Sequence, residues 1–216
     1  MTQLGAQAWV PEGADLGELA AAATACRGCE LYADAEQVVF GAGAPAARAV
    51  LVGEQPGDVE DHAGEPFVGP AGKLLRRALQ EVGLPPENLY LTNAVKHFRF
   101  TERGKRRLHQ SPAVGHIKAC RPWLAAELGD LRPDLVIVLG AVAGRALLGP
   151  TFRVTHQRGR LLSPQDRAEY SGALPALGDT CLLATVHPSA VLRATERDRA
   201  YADFRDDLAV AAAHLR

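Results

Sequence analysis

Four short apolar runs, separated by helical patterns, constrain the fold of this chain more than any other feature of its sequence. The four runs span residues 49–52, 89–92, 135–139 and 181–186. Runs of this length and composition are typical of parallel strands that are buried on both faces. Helical patterns separate or flank them and cover residues 16–25, 71–82, 113–128, 141–148 and 197–215. The alternation predicts an α/β protein, a three-layer α/β/α sandwich around a four-stranded parallel sheet, in which residues 1–216 form a single domain.

Polar residues follow three of these predicted strands. Glu54 and Gln55 come after the first strand, Asn93 after the second and His187 after the fourth. The carboxyl ends of the strands meet at one edge of such a sheet, where these folds bind ligands. Glycine and proline in residues 53–57 favour tight turns that bring the backbone close to a ligand. We therefore expect an acid, two amides and a histidine to converge on one crevice.

A basic stretch follows the second strand. From Lys96 to His109 there are six basic residues and one acid, a local charge of +5 in a chain whose net charge is -1. Cations at this density attract a polyanion such as a nucleic acid backbone. His109, directly behind them, can act near neutral pH as a base or a nucleophile. The plain alternative is a solvated basic loop with an incidental histidine.

The composition excludes membrane-spanning and disulfide-rich classes. Hydrophobic residues make up 47% of the 216 residues, as in a globular protein, and no apolar run approaches the roughly 20 residues needed to span a bilayer. Residues 1–11 lack the basic and apolar pattern of a signal peptide. We therefore expect a cytoplasmic protein, and in that compartment structural disulfides are uncommon.

The four cysteines are better explained as metal ligands or core residues. Cys26 and Cys29 form a CxxC pair, whose spacing suits one metal ion or one edge of a cluster. Cys120 lies in a predicted helix, and Cys181 opens a predicted strand, where a buried free cysteine is ordinary. His97 is the best candidate for a fourth ligand, and three cysteines with one histidine can bind zinc or an iron–sulfur cluster. The alternative is that the pair binds nothing and that His97 is a hydrogen-bonded loop residue.

Four further stretches carry a resemblance to a known family. They are residues 53–57 (GEQPG), 64–72 (GEPFVGPAG), 92–96 (TNAVK) and 187–189 (HPS). Through them the chain resembles the iron–sulfur uracil-DNA glycosylases of family 4 over about residues 16–208.

Two features point to one branch of that family. Residues 105–109 (KRRLH) match the loop insertion of the UdgX branch, with leucine where its members usually carry isoleucine. His97 stands where ordinary family-4 enzymes have a cysteine. The chain looks closest to UdgX, whose members become covalently attached to uracil-containing DNA.

The resemblance implies a cofactor and a set of substrate contacts. The cofactor is a structural 4Fe–4S cluster on Cys26, Cys29, His97 and Cys120. The resemblance also implies contacts to the DNA substrate from Gly53, Gln55, Asp58, Ser189, Lys105 and Arg107. Of these, Ser189 and the two basic residues would bind phosphates.

Three side chains would recognise the flipped-out base. Phe67 would stack on uracil, Asn93 would bind its polar edge, and His187 would hydrogen-bond O2 and support charge on the departing base. On sequence alone, these residues can equally be a core aromatic, a turn cap and a turn residue.

The resemblance also implies an unusual second step. After uracil leaves, His109 would attack C1′ of the sugar, and Glu54 would orient His109 and take up its proton. Asp58 and Asp61 either assist or are solvated turn residues. The reaction would stop after one turnover with the protein linked to DNA.

Two other functions compete with this one. In a conventional uracil-DNA glycosylase, water would complete the reaction and release free enzyme. A noncatalytic nucleic-acid-binding protein with a structural metal would bind DNA without depending on uracil. An electron-transfer protein is disfavoured because it would leave the polar strand ends without a purpose. We expect the partners to be uracil-containing DNA, preferably single-stranded, and free uracil as product, with no membrane and a monomeric chain.

Overall fold

A computed structural model describes residues 5–85, 88–170 and 172–216. The strands in these residues are β1 (Ala42–Gly43), β2 (Ala49–Gly53), β3 (Leu89–Asn93), β4 (Phe100–Arg103), β5 (Arg106–His109), β6 (Leu135–Leu139), β7 (Leu161–Leu162) and β8 (Cys181–Thr185). The main sheet has the order β1-β3-β2-β6-β8-β7, and β4 pairs with β5 in a separate hairpin.

The four central strands of the main sheet are the four predicted ones. β2 pairs in parallel with both β3 and β6, and β6 pairs in parallel with β8. The two outermost strands, β1 and β7, are antiparallel to their neighbours. The sheet is therefore six-stranded and mixed, rather than four-stranded and parallel as predicted. Two-residue strands are too short to leave a periodic pattern in a sequence.

Helices lie on both faces of this sheet. They are α1 (Leu16–Ala23), α2 (Asp58–Ala63), α3 (Pro70–Glu81), α4 (Val114–Leu131), α5 (Ala141–Leu148), α6 (Val154–Gln157), α7 (Pro164–Arg167), α8 (Pro188–Arg193) and α9 (Arg197–Leu215). Short 3-10 helices cover Gln7–Trp9, Glu30–Ala33 and Pro175–Leu177. None of the described helices is both long enough and apolar enough to cross a membrane.

Alternation along the strands divides the core into two layers. Leu51 of β2 packs with residues of α3 and α9 on one face, whereas Val50 and Val52 pack with α4 and α5 on the other. Successive strand residues point to opposite faces of the sheet. A strand that is apolar at every position is therefore covered by helices on both faces. The predicted three-layer α/β/α architecture is confirmed.

The basic stretch folds as a hairpin rather than as the loop that we expected. β4 and β5 pair antiparallel, with Phe100 opposite His109 and Arg103 opposite Arg106. Gly104 has a φ of 62° at the turn, a conformation that glycine adopts readily. The hairpin places His109 at the end of β5, next to the main sheet rather than at the tip.

Candidate active site

An open cleft of about 600 Å³ lies at the carboxyl ends of the central strands. Glu54, Gln55, Asn93 and His187, the polar residues expected to converge, all line it. His109 reaches the same cleft from the hairpin. The other predicted site residues along its walls are Asp58, Phe67 and Ser189.

The floor of the cleft depends on a close approach to Gly53, the last residue of β2. A Cβ atom at Gly53 would lie 2.3 Å from Asn93 Oδ1 and 2.6 Å from Phe67 Cζ. Phe67 has a φ of 58°, and both Phe67 and Asn93 are buried. Gly72 of α3 permits this conformation, since a Cβ there would lie 1.8 Å from the Phe67 carbonyl oxygen. An aromatic ring and an amide therefore share the bottom of the cleft.

His187 lies on the wall with a defined tautomer. Its Nδ1 accepts a hydrogen bond from the Ser189 backbone N–H at 3.2 Å and lies 2.8 Å from the Ser189 hydroxyl. Burial, helped by the nearby His109 and Arg193, lowers the pKa of His187 to about 4. The ring is therefore neutral at physiological pH, and its proton is on Nε2, where it can be donated. Ser189, expected to contact phosphate, has its hydroxyl on His187.

Glu54 and His109 face each other at the mouth of the cleft. His109 Nε2 lies 3.8 Å from Glu54 Oε1, which is too long for a hydrogen bond. Glu54 Oε1 is buried and accepts no hydrogen bond from any residue that the structure describes. The His109 side chain is 48% exposed. A buried carboxylate oxygen without a donor thus lies beside a half-exposed imidazole.

Gln55 holds the base of the hairpin. Its Nε2 donates to the carbonyl oxygens of Arg99 and Gln110, both at 3.1 Å, and its Oε1 accepts from the Arg99 N–H at 3.3 Å. Arg99 and Gln110 flank β4 and β5. The side chain that we expected to contact substrate is therefore bonded to both ends of the hairpin.

Arg107 docks the hairpin on α2. Its Nε donates to Asp58 Oδ1 at 2.6 Å and its Nη1 to Asp61 Oδ2 at 2.7 Å, and its side chain is 14% exposed. The guanidinium also lies 5.0 Å from the centre of the Phe100 ring. Asp58 and Arg107, both expected to contact substrate, are thus paired with each other. Lys105 is exposed at the hairpin turn.

Lys96 is not part of the basic surface. Its side chain is only 1% exposed and forms an ion pair with Glu127 of α4. Counting it in the basic stretch overstates the positive charge that the hairpin region presents to DNA.

A second, smaller cavity is lined by Cys26, Cys29, His97 and Cys120. Two of the sulfurs already accept hydrogen bonds, Cys26 from Trp123 Nε1 and Cys120 from the Lys96 backbone N–H, both at 3.3 Å. Hydrogen bonds of this kind surround the thiolates of iron–sulfur clusters.

The donor set of this cavity, three thiols and one imidazole, is of the kind that binds zinc or an iron–sulfur cluster. Within the described residues, no three His, Cys, Asp or Glu side chains are grouped to hold one metal ion. Burial lowers the pKa of His97 to about 4, which leaves a neutral imidazole able to act as a ligand. Burial raises the pKa of Cys120 to about 12, so this thiol would have to lose its proton to bind iron.

Comparison with known proteins decides the family. The model of the Uracil DNA glycosylase superfamily matches residues 40–209. The chain belongs to the uracil-DNA glycosylase superfamily. Members of this enzyme family act on uracil-containing DNA, and the match confirms the predicted fold.

Three similar relatives are named type-4 uracil-DNA glycosylases. A type-4 uracil-DNA glycosylase of Pyrobaculum aerophilum is 32% identical over 185 residues, which cover 86% of this chain and 87% of the relative. That of Thermotoga maritima is 35% identical over 169 residues, 78% of each chain. That of Archaeoglobus fulgidus is 31% identical over 182 residues, 72% of this chain and 88% of the relative.

Some residues at the site escaped the sequence analysis. Arg193 and Ser111 line the cleft, and Glu127 pairs with Lys96 beneath it. Arg193 could have been found, because it lies four residues after Ser189 on α8 and so shares its face. The partner of Lys96 could not, because 31 residues separate the two in sequence.

Proposed function

We propose that the protein excises uracil from DNA, with single strands preferred, and then becomes linked through His109 to C1′ of the sugar in a single turnover. One observation carries the proposal. The His109 imidazole lies 3.8 Å from the unpartnered Glu54 carboxylate oxygen, at the mouth of a cleft whose floor suits a base. The distinctive KRRLH sequence supplies this histidine.

Base recognition would use the buried floor. A glycosylase must flip its target nucleotide out of a stack or take it from a single strand. Phe67 would stack on the uracil ring, and Asn93 can offer both donors and an acceptor to the uracil edge. His187 would donate from Nε2 to uracil O2.

Bond cleavage would follow from that last contact. When the C1′–N1 bond breaks, its electron pair leaves with uracil, and the His187 donor stabilises the negative charge on O2. Because His187 is neutral, it acts as a donor rather than as a cation. The sugar is left as an oxocarbenium-like cation, and uracil takes a proton from solvent.

The adduct would form in a second step. A ring nitrogen of His109 donates its lone pair to C1′, and a carbon–nitrogen bond forms. The attacking imidazole must then lose its ring proton, which Glu54 accepts. Atoms and charges balance without any oxidant or reductant.

The cysteine cavity would hold a 4Fe–4S cluster on Cys26, Cys29, His97 and Cys120. The cluster would cross-link the N-terminal segment to α4 and to the segment that follows β3, and it would supply no redox step. The two hydrogen bonds to sulfur and the neutral His97 support this assignment.

A denaturing gel tests the proposed function. Purified protein is mixed with a labelled single-stranded oligonucleotide that contains one uracil. We expect a slow band that survives heat and detergent, is absent with thymine DNA and is absent for His109→Ala. The matched control is His156→Ala, an exposed histidine outside the cleft, which should form the band normally.

Two other outcomes would contradict the proposal. Alkali-cleavable abasic sites with no slow band would identify a conventional glycosylase in which water attacks C1′. Binding that does not depend on uracil and releases no base would identify a noncatalytic DNA-binding protein.

A further inference from the structure

A fully buried ion pair lies directly beneath the cleft and has no part in the proposed chemistry. Lys96 Nζ lies 2.5 Å from Glu127 Oε2, and the two side chains are 1% and 0% exposed. Burying two charges is unfavourable unless their geometry is good and their remaining hydrogen-bonding groups are satisfied. A chain that keeps such a pair in its core therefore needs a reason for it.

The hydrogen bonds of this pair are fully satisfied. The Lys96 ammonium has three donors and three acceptors, which are Glu127 Oε2, Thr92 Oγ1 at 2.6 Å and the Asn93 carbonyl oxygen at 2.9 Å. Glu127 Oε1 accepts from the Thr92 hydroxyl at 2.9 Å and from the Tyr90 hydroxyl at 3.1 Å. Burial, with Glu127 nearby, raises the pKa of Tyr90 well above its usual value, so this hydroxyl keeps its proton.

One of these acceptors belongs to the site itself. Asn93 ends β3, and its amide is the group that would read the uracil edge. Lys96 Nζ binds the carbonyl oxygen of this same residue from below. The peptide that carries the amide is therefore held between the sheet and a buried cation that α4 fixes in place.

The segment after Asn93 is held by further hydrogen bonds. Ala94 N–H donates to the Gly53 carbonyl at 2.9 Å, and Val95 N–H donates to the Glu54 carbonyl at 3.0 Å. The Lys96 backbone N–H donates to Cys120 Sγ, on the wall of the cysteine cavity. Lys96 therefore contacts the floor of the cleft through its side chain and the cysteine cavity through its backbone.

We propose that Lys96 and Glu127 are positioning residues for uracil excision, which fix the Asn93 amide at the floor of the cleft through the Asn93 carbonyl. The inference rests on the proposed excision of uracil but not on the adduct. Neither side chain touches substrate, so their loss should slow the reaction at saturating DNA and leave DNA affinity unchanged.

The test is a comparison of single and double variants. Lys96→Met leaves Glu127 buried without its partner and should lower the melting temperature. In the double variant Lys96→Met/Glu127→Met, apolar side chains of similar size replace both charges. The melting temperature should recover only in part, because the Thr92 and Tyr90 hydroxyls and the Asn93 carbonyl lose their partners. Lys118→Met, an exposed lysine on α4, is the matched control and should behave as the wild type.

Two quantities are measured for each variant: the single-turnover rate of uracil release at saturating DNA, and the DNA concentration that gives half of this rate. We expect the double variant to melt at a higher temperature than Lys96→Met and to keep the half-saturating DNA concentration. It should release uracil about a hundredfold more slowly, since a misplacement of about 1 Å has an effect of this size. A double variant that recovers both stability and the wild-type rate would show a purely structural role and overturn the inference.

A milder variant covers the case in which the double variant does not fold. Glu127→Gln keeps the shape of the side chain and removes the charge that fixes Lys96. At temperatures where this variant is folded, we expect it to release uracil roughly tenfold more slowly than the wild type. If Glu127→Gln folds and releases uracil at the wild-type rate, the inference is overturned and the proposed function is unaffected. A wild-type protein that releases no uracil overturns the proposed function, and the inference with it.

Discussion

The floor of the cleft and the hairpin at its mouth are built in different ways. Asn93 and His187 follow strands of the main sheet, and every residue of β2, β3 and β6 is buried. His109 ends a two-stranded hairpin whose residues are mostly exposed. The residues proposed to recognise the base therefore rest on the core of the domain, whereas the proposed nucleophile rests on a peripheral element.

The hairpin is fixed by a few polar contacts instead of by a core. Gln55 bonds to the two residues that flank it, and Arg107 pairs with Asp58 and Asp61 of α2. Elements with few buried apolar contacts open more readily than core strands. If the proposed function holds, the difference means that mutation should separate excision from attachment, because each would depend on a different region.

The largest effect on uracil release should come from a substitution in the cleft itself, at His187. His187→Ala removes the proposed donor to uracil O2, and loss of one such donor commonly slows catalysis by about 10²–10³-fold. Single-turnover uracil release should fall by this factor, and adduct formation should fall with it, since attachment needs prior excision. His156→Ala is the control.

Loss of the adduct with normal uracil release in His187→Ala would contradict this account. It would place His187 in the attachment step instead of in excision.

A smaller and more selective effect should come from the base of the hairpin. Gln55→Ala removes three hydrogen bonds, each of which stabilises by about 1 kcal/mol, so His109 should be less often in position. Uracil release should stay close to wild type, whereas the fraction of released uracil that ends in an adduct should fall about tenfold. The two quantities are measured on the same samples, by chromatography and on a denaturing gel.

Arg106→Ala is the matched control for the hairpin, because Arg106 is exposed and lies beside the anchoring Arg107. If Gln55→Ala instead lowers excision and attachment equally, Gln55 contacts the base, as the resemblance to UdgX implied, and the division between the two regions fails.

The sequence predicts the core of the fold better than its edges. The strand over residues 135–139 and the helix over 197–215 are found at their predicted bounds. A short apolar run between helical patterns predicts a buried strand, and a pattern of 19 residues is long enough to predict a helix. The edge strands β1 and β7 are too short for any pattern. The hairpin is not predicted because its charged residues are typical of a loop, although Glu102 lies opposite Arg107 and Arg103 opposite Arg106 in two short strands.

The sequence predicts where the site residues lie in the fold, but it does not predict which residues they contact. Strand ends predict that Glu54, Asn93 and His187 meet, since the topology of a parallel sheet brings them together. No local pattern shows that Gln55 binds residues 44 and 55 positions away. A lysine in a charged stretch is also expected at the surface, and only the tertiary structure shows that Lys96 is buried opposite Glu127.

The most direct test of the central claim is mass spectrometry of the protein after reaction with uracil-containing single-stranded DNA. We predict a species with the summed mass of protein and oligonucleotide less one molecule of uracil, and proteolysis should place the modification on His109. Unmodified protein beside abasic DNA, or a modification on any other residue, would contradict the account.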